Sequence, residues 1–313
     1  MGYLTKYGTQ WGAVPQTAGN VFWVSPSDSY TSEGRAYSAA DGNDGLSPER
    51  ALRTIAQAHT NATASAGDVI MLLPGTHTSA SNVAISKADL TFVGCHPSSR
   101  YVPQYRPSPN GGKVHWTSTV AGTGVTVTGA DTNFVGIDFI PLTARTMVGF
   151  TTATRMKVID CSITMSAAAS TSTKGFVSTG TADGVTFSNL FVLNSIGAQG
   201  PCLDITGCTN LLIDYATVSC TTGSWAVGIQ CGAGTQGIIR ELDMSCSGTA
   251  ITIGIDGTGV AANKSILMLN NRYGVSPGAG AVKNFTAAYV ELVNNWYATV
   301  GGGAGFVIST VVA

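Results

Sequence analysis

One short phrase recurs through the second half of the chain and limits the architectures open to it. NFVGIDF begins at Asn133, RMKVIDC at Arg155, DGVTFSN at Asp183, NLLIDYA at Asn210, QGIIREL at Gln236, KSILMLN at Lys264 and YVELVNN at Tyr289. Successive starts lie roughly 22 to 28 residues apart, a period that belongs to solenoids. Each phrase is rich in Val, Ile, Leu and Phe, with Asp, Asn or Ser at or near its end. That is a buried strand running into a turn, and it lacks helical periodicity.

Between the phrases lies a second set of short apolar segments: MVGF at Met147, GFVS at Gly175, CLDI at Cys202, AVGI at Ala226, AITI at Ala250, VKNF at Val282 and FVIS at Phe306. Each repeat therefore holds at least two strands, separated by Gly, Ser, Thr and Asn, with no room for a helix. The implied fold class is all-β: a right-handed, single-stranded parallel β-helix with one short N-terminal capping helix. Coils stacked about 4.8 Å apart would build a rod on the order of 50 Å tall. Glycine supplies 39 of the 313 residues, against about 7% in average chains, and it permits the positive φ values of tight corners. Charged residues are only 11%, against about 25% normally. A surface so poor in charge implies lateral faces covered by partner copies.

The net charge of −1 argues against a general nucleic-acid binder, which needs a basic stripe. No apolar run reaches membrane-span length. The opening MGYLTKYGTQWG lacks the apolar stretch of a secretory signal, and Lys6 stands where a myristoylation signal needs Ser or Thr. The seven cysteines (95, 161, 202, 208, 220, 231 and 246) are odd in number and form no CxxC pair. They read as small apolar core residues rather than a disulfide framework or a metal site. No metal and no cofactor is implied.

The N-terminal third has its own signals. VFWV at Val21 reads as the first strand. DGNDGLSPERALRTIAQAHTNA then predicts a cap helix over about 48–62, with Ser47 as N-cap and Pro48 at its first position. Leu52, Ile55, Ala56 and His59 would share the face that plugs the open end of the coil, with His59 structural rather than catalytic. AGDVIMLLPGTH follows. The pair DGNDGLSPERALRTI and GDVIMLLPGTH resembles the opening of pectate-lyase-like right-handed parallel β-helices of the bacteriophage tailspike and tailspike-like capsid cement type. The resemblance covers residues 21 to 95 by motif and 133 to 313 by repeat. It implies the fold, and it implies a homotrimer. The fold hosts lyases, glycosidases, binding proteins and inert structural parts, so activity does not follow from it.

Two segments stand outside the repeat. Residues 1–20 read as an arm ahead of a β-helix domain over 21–313. Tyr3, Tyr7 and Trp11, spaced four apart, are candidate anchors for a partner surface. Twenty residues are too few for the head-binding domain expected of a tailspike. The Pro-rich insert over about 94–113 offers Arg100, Tyr101, Tyr105 and Arg106 as further candidate partner contacts.

The carboxylates are the candidates for chemistry, since glycoside hydrolysis needs two of them about 5 to 9.5 Å apart. Asp138 and Asp160 fall at the same place in GIDF and VIDC, and Asp183, Asp204 and Asp214 are further candidates. Asp and Asn recur at strand ends in nearly every repeat, however, where they bond turn backbone and stack in ladders. No catalytic residue is assigned on this reading. The sequence points first to a non-enzymatic virion protein: a trimeric decoration or cement protein on a phage capsid surface, assembled in the host cytoplasm and bound to the major capsid protein, with no nucleic-acid or membrane partner. The alternative is a tailspike-type receptor-binding protein or polysaccharide depolymerase, with carbohydrate as partner.

Overall fold

The computed structural model describes residues 19–307 apart from 28, 33–34, 96–113, 144–145, 166–172, 195–197, 221–223, 247–250, 262, 276–279, 284, 286–288 and 300–303. These residues form a parallel β-solenoid whose coils pass through three sheets, one per flank. The first flank has ten strands, from Val21–Val24 to Tyr289–Val293. The second runs from Gly75–Ser79 to Ala304–Val307, also with ten. The third runs from Val83–Ile85 to Gly280–Lys283. Ten strands at the usual spacing give a rod on the order of 45 Å. The last described strand, Ala304–Val307, turns back and pairs antiparallel with Asn295–Thr299.

Alternation along each strand decides what is buried. On the first flank Phe92, Phe134, Val158, Phe187, Ile213, Ile239 and Met268 stand in register, one per coil, and all are buried. Rings from different flanks meet in the middle. Phe134 lies 5.6 Å from Phe139, Phe139 lies 5.5 Å from Phe176, and Phe176 lies 5.3 Å from Phe187. Such edge-on contacts add to the area the rings bury.

A single left-handed residue turns the chain from the first flank to the second in coil after coil. Gly136, Asp160, Asn189, Tyr215, Glu241, Asn270 and Asn294 all have φ between 51° and 68°. Asn and Asp tolerate this region through local hydrogen bonds and Gly pays no steric cost there. Two steps of the column are bonded side chain to side chain: Asn189 Nδ2 donates to Asp160 Oδ1 at 2.7 Å, and Asn270 Nδ2 donates to Glu241 Oε1 at 2.7 Å.

This corner corrects the reading of the phrase. Each phrase spans two strands bent at the left-handed residue, so a repeat holds three strands. Val135 pairs with Ile159 and Asp138 with Ser162. Gly136 therefore stands opposite Asp160, and Asp138 and Asp160 are two positions out of step. Aligning them by letter had overlooked that glycine and aspartate fill one conformational slot.

The cap also differs from expectation. Pro48–Arg50 is a 3-10 turn, and Ser47 makes no side-chain capping bond. Leu52 is extended and bridges Val24. The α-helix, α1, is Ile55–Asn61, capped by Thr54, whose hydroxyl accepts from Gln57 N at 3.1 Å. Its buried face is Ile55 and Ala58, followed by Ala62, while Ala56 is exposed. These residues join Leu52 in the main core, so the helix closes the open end as expected but begins about two turns later. The Lys87 ammonium holds its C-terminal carbonyls, donating to His59, Thr60 and Ala62 at 2.8, 2.7 and 2.6 Å. His59 Nε2 accepts from the backbone of Ser86 at 3.2 Å; burial and then Lys87 hold its pKa below the ordinary value. It is a structural acceptor.

A second, smaller core lies outside the first flank. Trp23, Val69, Met71 and Leu73 are buried there with Ala39, Ala51 and Cys95. The segment around 39–51 thus covers the outer face of the first coils.

Candidate functional site

The same outer face lies open at the other end of the rod. Register places Asn210, Gln236, Ser265 and Tyr289 in one row, a step per coil, at the entry edge of the first flank. Beside it Leu212, Ile238, Leu267 and Glu291 form a second row. A groove of about 510 Å³ runs along these rows. Its walls come from alternation: in YVELV, Val290 and Leu292 point to the core, and Tyr289 and Glu291 face outward. Tyr289 is 67% exposed and Ile238 36%.

Gly237 lets the strands close up at the groove floor. Its φ is 152°, and a Cβ there would stand 2.2 Å from the carbonyl oxygen of Leu211. At one end Asn210 Nδ2 donates to Asp183 Oδ1 at 2.7 Å, as does the Thr209 hydroxyl. Those two bonds hold the Asp183 carboxyl below the usual carboxylate range. Among the described residues, no side-chain hydrogen bond engages Gln236, Ser265, Tyr289 or Glu291. The groove thus presents an aromatic ring, an apolar strip and a file of amide, hydroxyl and carboxylate groups to an outside partner.

The other flanks hold polar clusters that satisfy themselves. On the second flank Asp138, 6% exposed, accepts from Ser162 Oγ at 2.8 Å and Thr164 Oγ1 at 3.1 Å, and meets His115 Nδ1 at 3.0 Å. These are the residue types of a hydrolytic triad in the wrong order. The carboxylate stands between serine and imidazole, so the imidazole has no bond to the hydroxyl it would have to deprotonate. The cluster ties three coils together. On the third flank Lys174 pairs with Asp204 at 3.1 Å, and Thr206 donates to the same carboxylate at 2.9 Å.

The carboxylates singled out by sequence are scattered. Asp138 faces out of the second flank, and Asp160 sits in the corner column. Asp183 precedes the left-handed Gly184, Asp204 is on the third flank, and Asp214 ends a first-flank strand. Asp214 takes Arg240 Nε and a terminal guanidinium nitrogen at 2.8 and 2.9 Å. The proposed anchors Tyr3, Tyr7, Trp11, Arg100, Tyr101, Tyr105 and Arg106 lie outside the described residues. Sequence reasoning missed the groove residues. Period-two alternation within YVELVNN would have marked Tyr289 and Glu291 as outward, but their assembly with Gln236 and Asn210 needs the coil register.

Three parallel flanks and the left-handed corner column together define a parallel β-helix. No protein-family model and no curated protein matches the chain. Among solved structures it is similar to a pectin methylesterase from Aspergillus niger, with TM-score 0.56 and 14% identity over 83% of this chain and 90% of that one. It also matches pectate lyase Pel9A, with TM-score 0.38 and 12% identity over 92% and 79%. A third match is tailspike protein 2 of Escherichia coli O157:H7 bacteriophage CAB120, with TM-score 0.29 and 11% identity over 90% and 45%. At 14% identity the likeness to the esterase is one of fold.

Proposed function

We propose that the chain is a receptor-binding rod of the tailspike kind, carried on a virion, that holds a surface polysaccharide along the open part of its first flank. The observation that carries this reading is the Tyr289 row. It sets an exposed ring and the unengaged side chains of Ser265 and Gln236 at equal steps of about 4.8 Å, a layout suited to a polymer of repeating units. Sugar rings have apolar faces and polar rims, and aromatic side chains combined with amides and hydroxyls answer both. The groove lining carries one carboxylate, Glu291, whereas glycosidic hydrolysis needs two. The reading is therefore binding without hydrolysis. Biolayer interferometry against host surface polysaccharide tests it. Wild-type protein binds and Tyr289→Ala weakens binding about tenfold; no binding by the wild-type rod sinks the reading.

The second reading, a trimeric capsid decoration protein without enzymatic activity, rests on a different observation. Leu212, Ile238 and Leu267 face outward in one row of a chain with only 11% charged residues, and sister rods or a capsid surface would cover such a strip. Electron microscopy of whole particles separates the two. Copies spread over the shell favour decoration, and copies at the tail favour receptor binding.

A further inference from the structure

We infer that the groove takes a neutral polysaccharide and rejects one built of uronic acids. The inference rests on the polysaccharide-binding reading and narrows its ligand. A polyanion needs cations in its site. The groove lining consists of amide, hydroxyl, aliphatic and aromatic groups and the Glu291 carboxylate, with no Lys, Arg or His among them.

The one charged group in the lining, Glu291, has the wrong sign for a polyanion, as does Asp183 at the groove's end. Glu291 stands in the groove one coil above Leu267, exposed and unbonded to any described side chain. Asp183 lies behind Asn210 at the opposite end and is held in its ionised form by Thr209 and Asn210. Arg240, two residues along the strand from Ile238, is turned to Asp214 by two hydrogen bonds of 2.8 and 2.9 Å, so its charge is matched. Lys264 precedes Ser265 outside the lining, and Glu241 follows Arg240 at the corner. What remains for a ligand is amide, hydroxyl and ring, which bond sugar hydroxyls without asking for charge.

The test is a glycan array bearing neutral and uronic-acid oligosaccharides, probed with the full chain at low and high salt. The expected result is binding to neutral glycans with little dependence on salt. Tyr289→Ala loses that binding about tenfold and Tyr289→Phe keeps it. Glu291→Gln admits uronates. Tyr289 is 67% exposed, so its variants leave the core intact, and circular dichroism checks this. Tyr289-dependent binding of uronates above neutral glycans overturns the inference and leaves the parent reading standing. Absence of any glycan binding removes both.

Discussion

Asn295 lies one coil above Asn271, and its side-chain Oδ1 accepts the Asn271 backbone N–H at 3.1 Å. Asn271 repeats the gesture one coil down, accepting from Leu242 N at 2.9 Å and donating to the Ile239 carbonyl at 3.1 Å. Both side chains are fully buried. Replacing Asn271 by Ala leaves the Leu242 N–H without its acceptor, at about 1–3 kcal/mol before any local adjustment, and removes a second bond to the Ile239 carbonyl. Asn271→Ala is expected to lose about 2–4 kcal/mol in guanidinium unfolding. An unchanged midpoint would show that the ladder does not hold this corner.

Tyr215 occupies the left-handed corner slot at φ 54° with 62% of its surface exposed. A residue with a bulky side chain pays about 1 kcal/mol or more there, and Asn fills the slot in three other coils. Tyr215→Asn should therefore raise stability by about 1 kcal/mol, seen as a higher Tm. A lower Tm would mean that the ring is held by contacts outweighing the strain.

Burial pushes the His77 pKa from its ordinary 6.5 down to about 4, and Nε2 bonds the Leu73 carbonyl at 2.8 Å. The unfolded chain binds that proton more tightly than the folded one. The stabilisation is thus fully present above about pH 6.5 and is lost as pH falls toward 4, by at most about 3 kcal/mol. His77→Gln, which keeps a donor, should flatten the stability profile between those values. Parallel wild-type and variant profiles would contradict the assignment.

Cys95, Cys161, Cys202, Cys208 and Cys231 are free and buried. Burial raises all five thiols, Cys161 and Cys208 to about 12. A thiol reagent at about pH 8 should leave these five untouched in the native rod, because the thiolate is the reactive form. All seven cysteines should react after unfolding. Prompt native labelling of Cys202 or Cys231, read by peptide mapping, would contradict their burial.

The solenoid was legible because strand phrases at a steady period leave few alternatives. The cap was legible in kind, since Pro48 and the apolar run were visible, but its start was misplaced. Leu52 was drawn into an extended bridge with Val24, which local propensity cannot foresee. The corner column was half legible. Asn and Asp announced it, but Gly136, Tyr215 and Glu241 fill the same slot for backbone reasons, and letter-by-letter alignment failed there. The groove was illegible because Asn210 and Tyr289, 79 positions apart in sequence, share a row only through three successive registers.

The central claim, that the open first flank is the working surface, is tested most directly by a crystal structure of the rod soaked with an oligosaccharide from its host. The account places a sugar ring on Tyr289, with the chain running past Ser265 and Gln236 toward Asn210. Density for the sugar on the second or third flank, with the Tyr289 row bare, would contradict it.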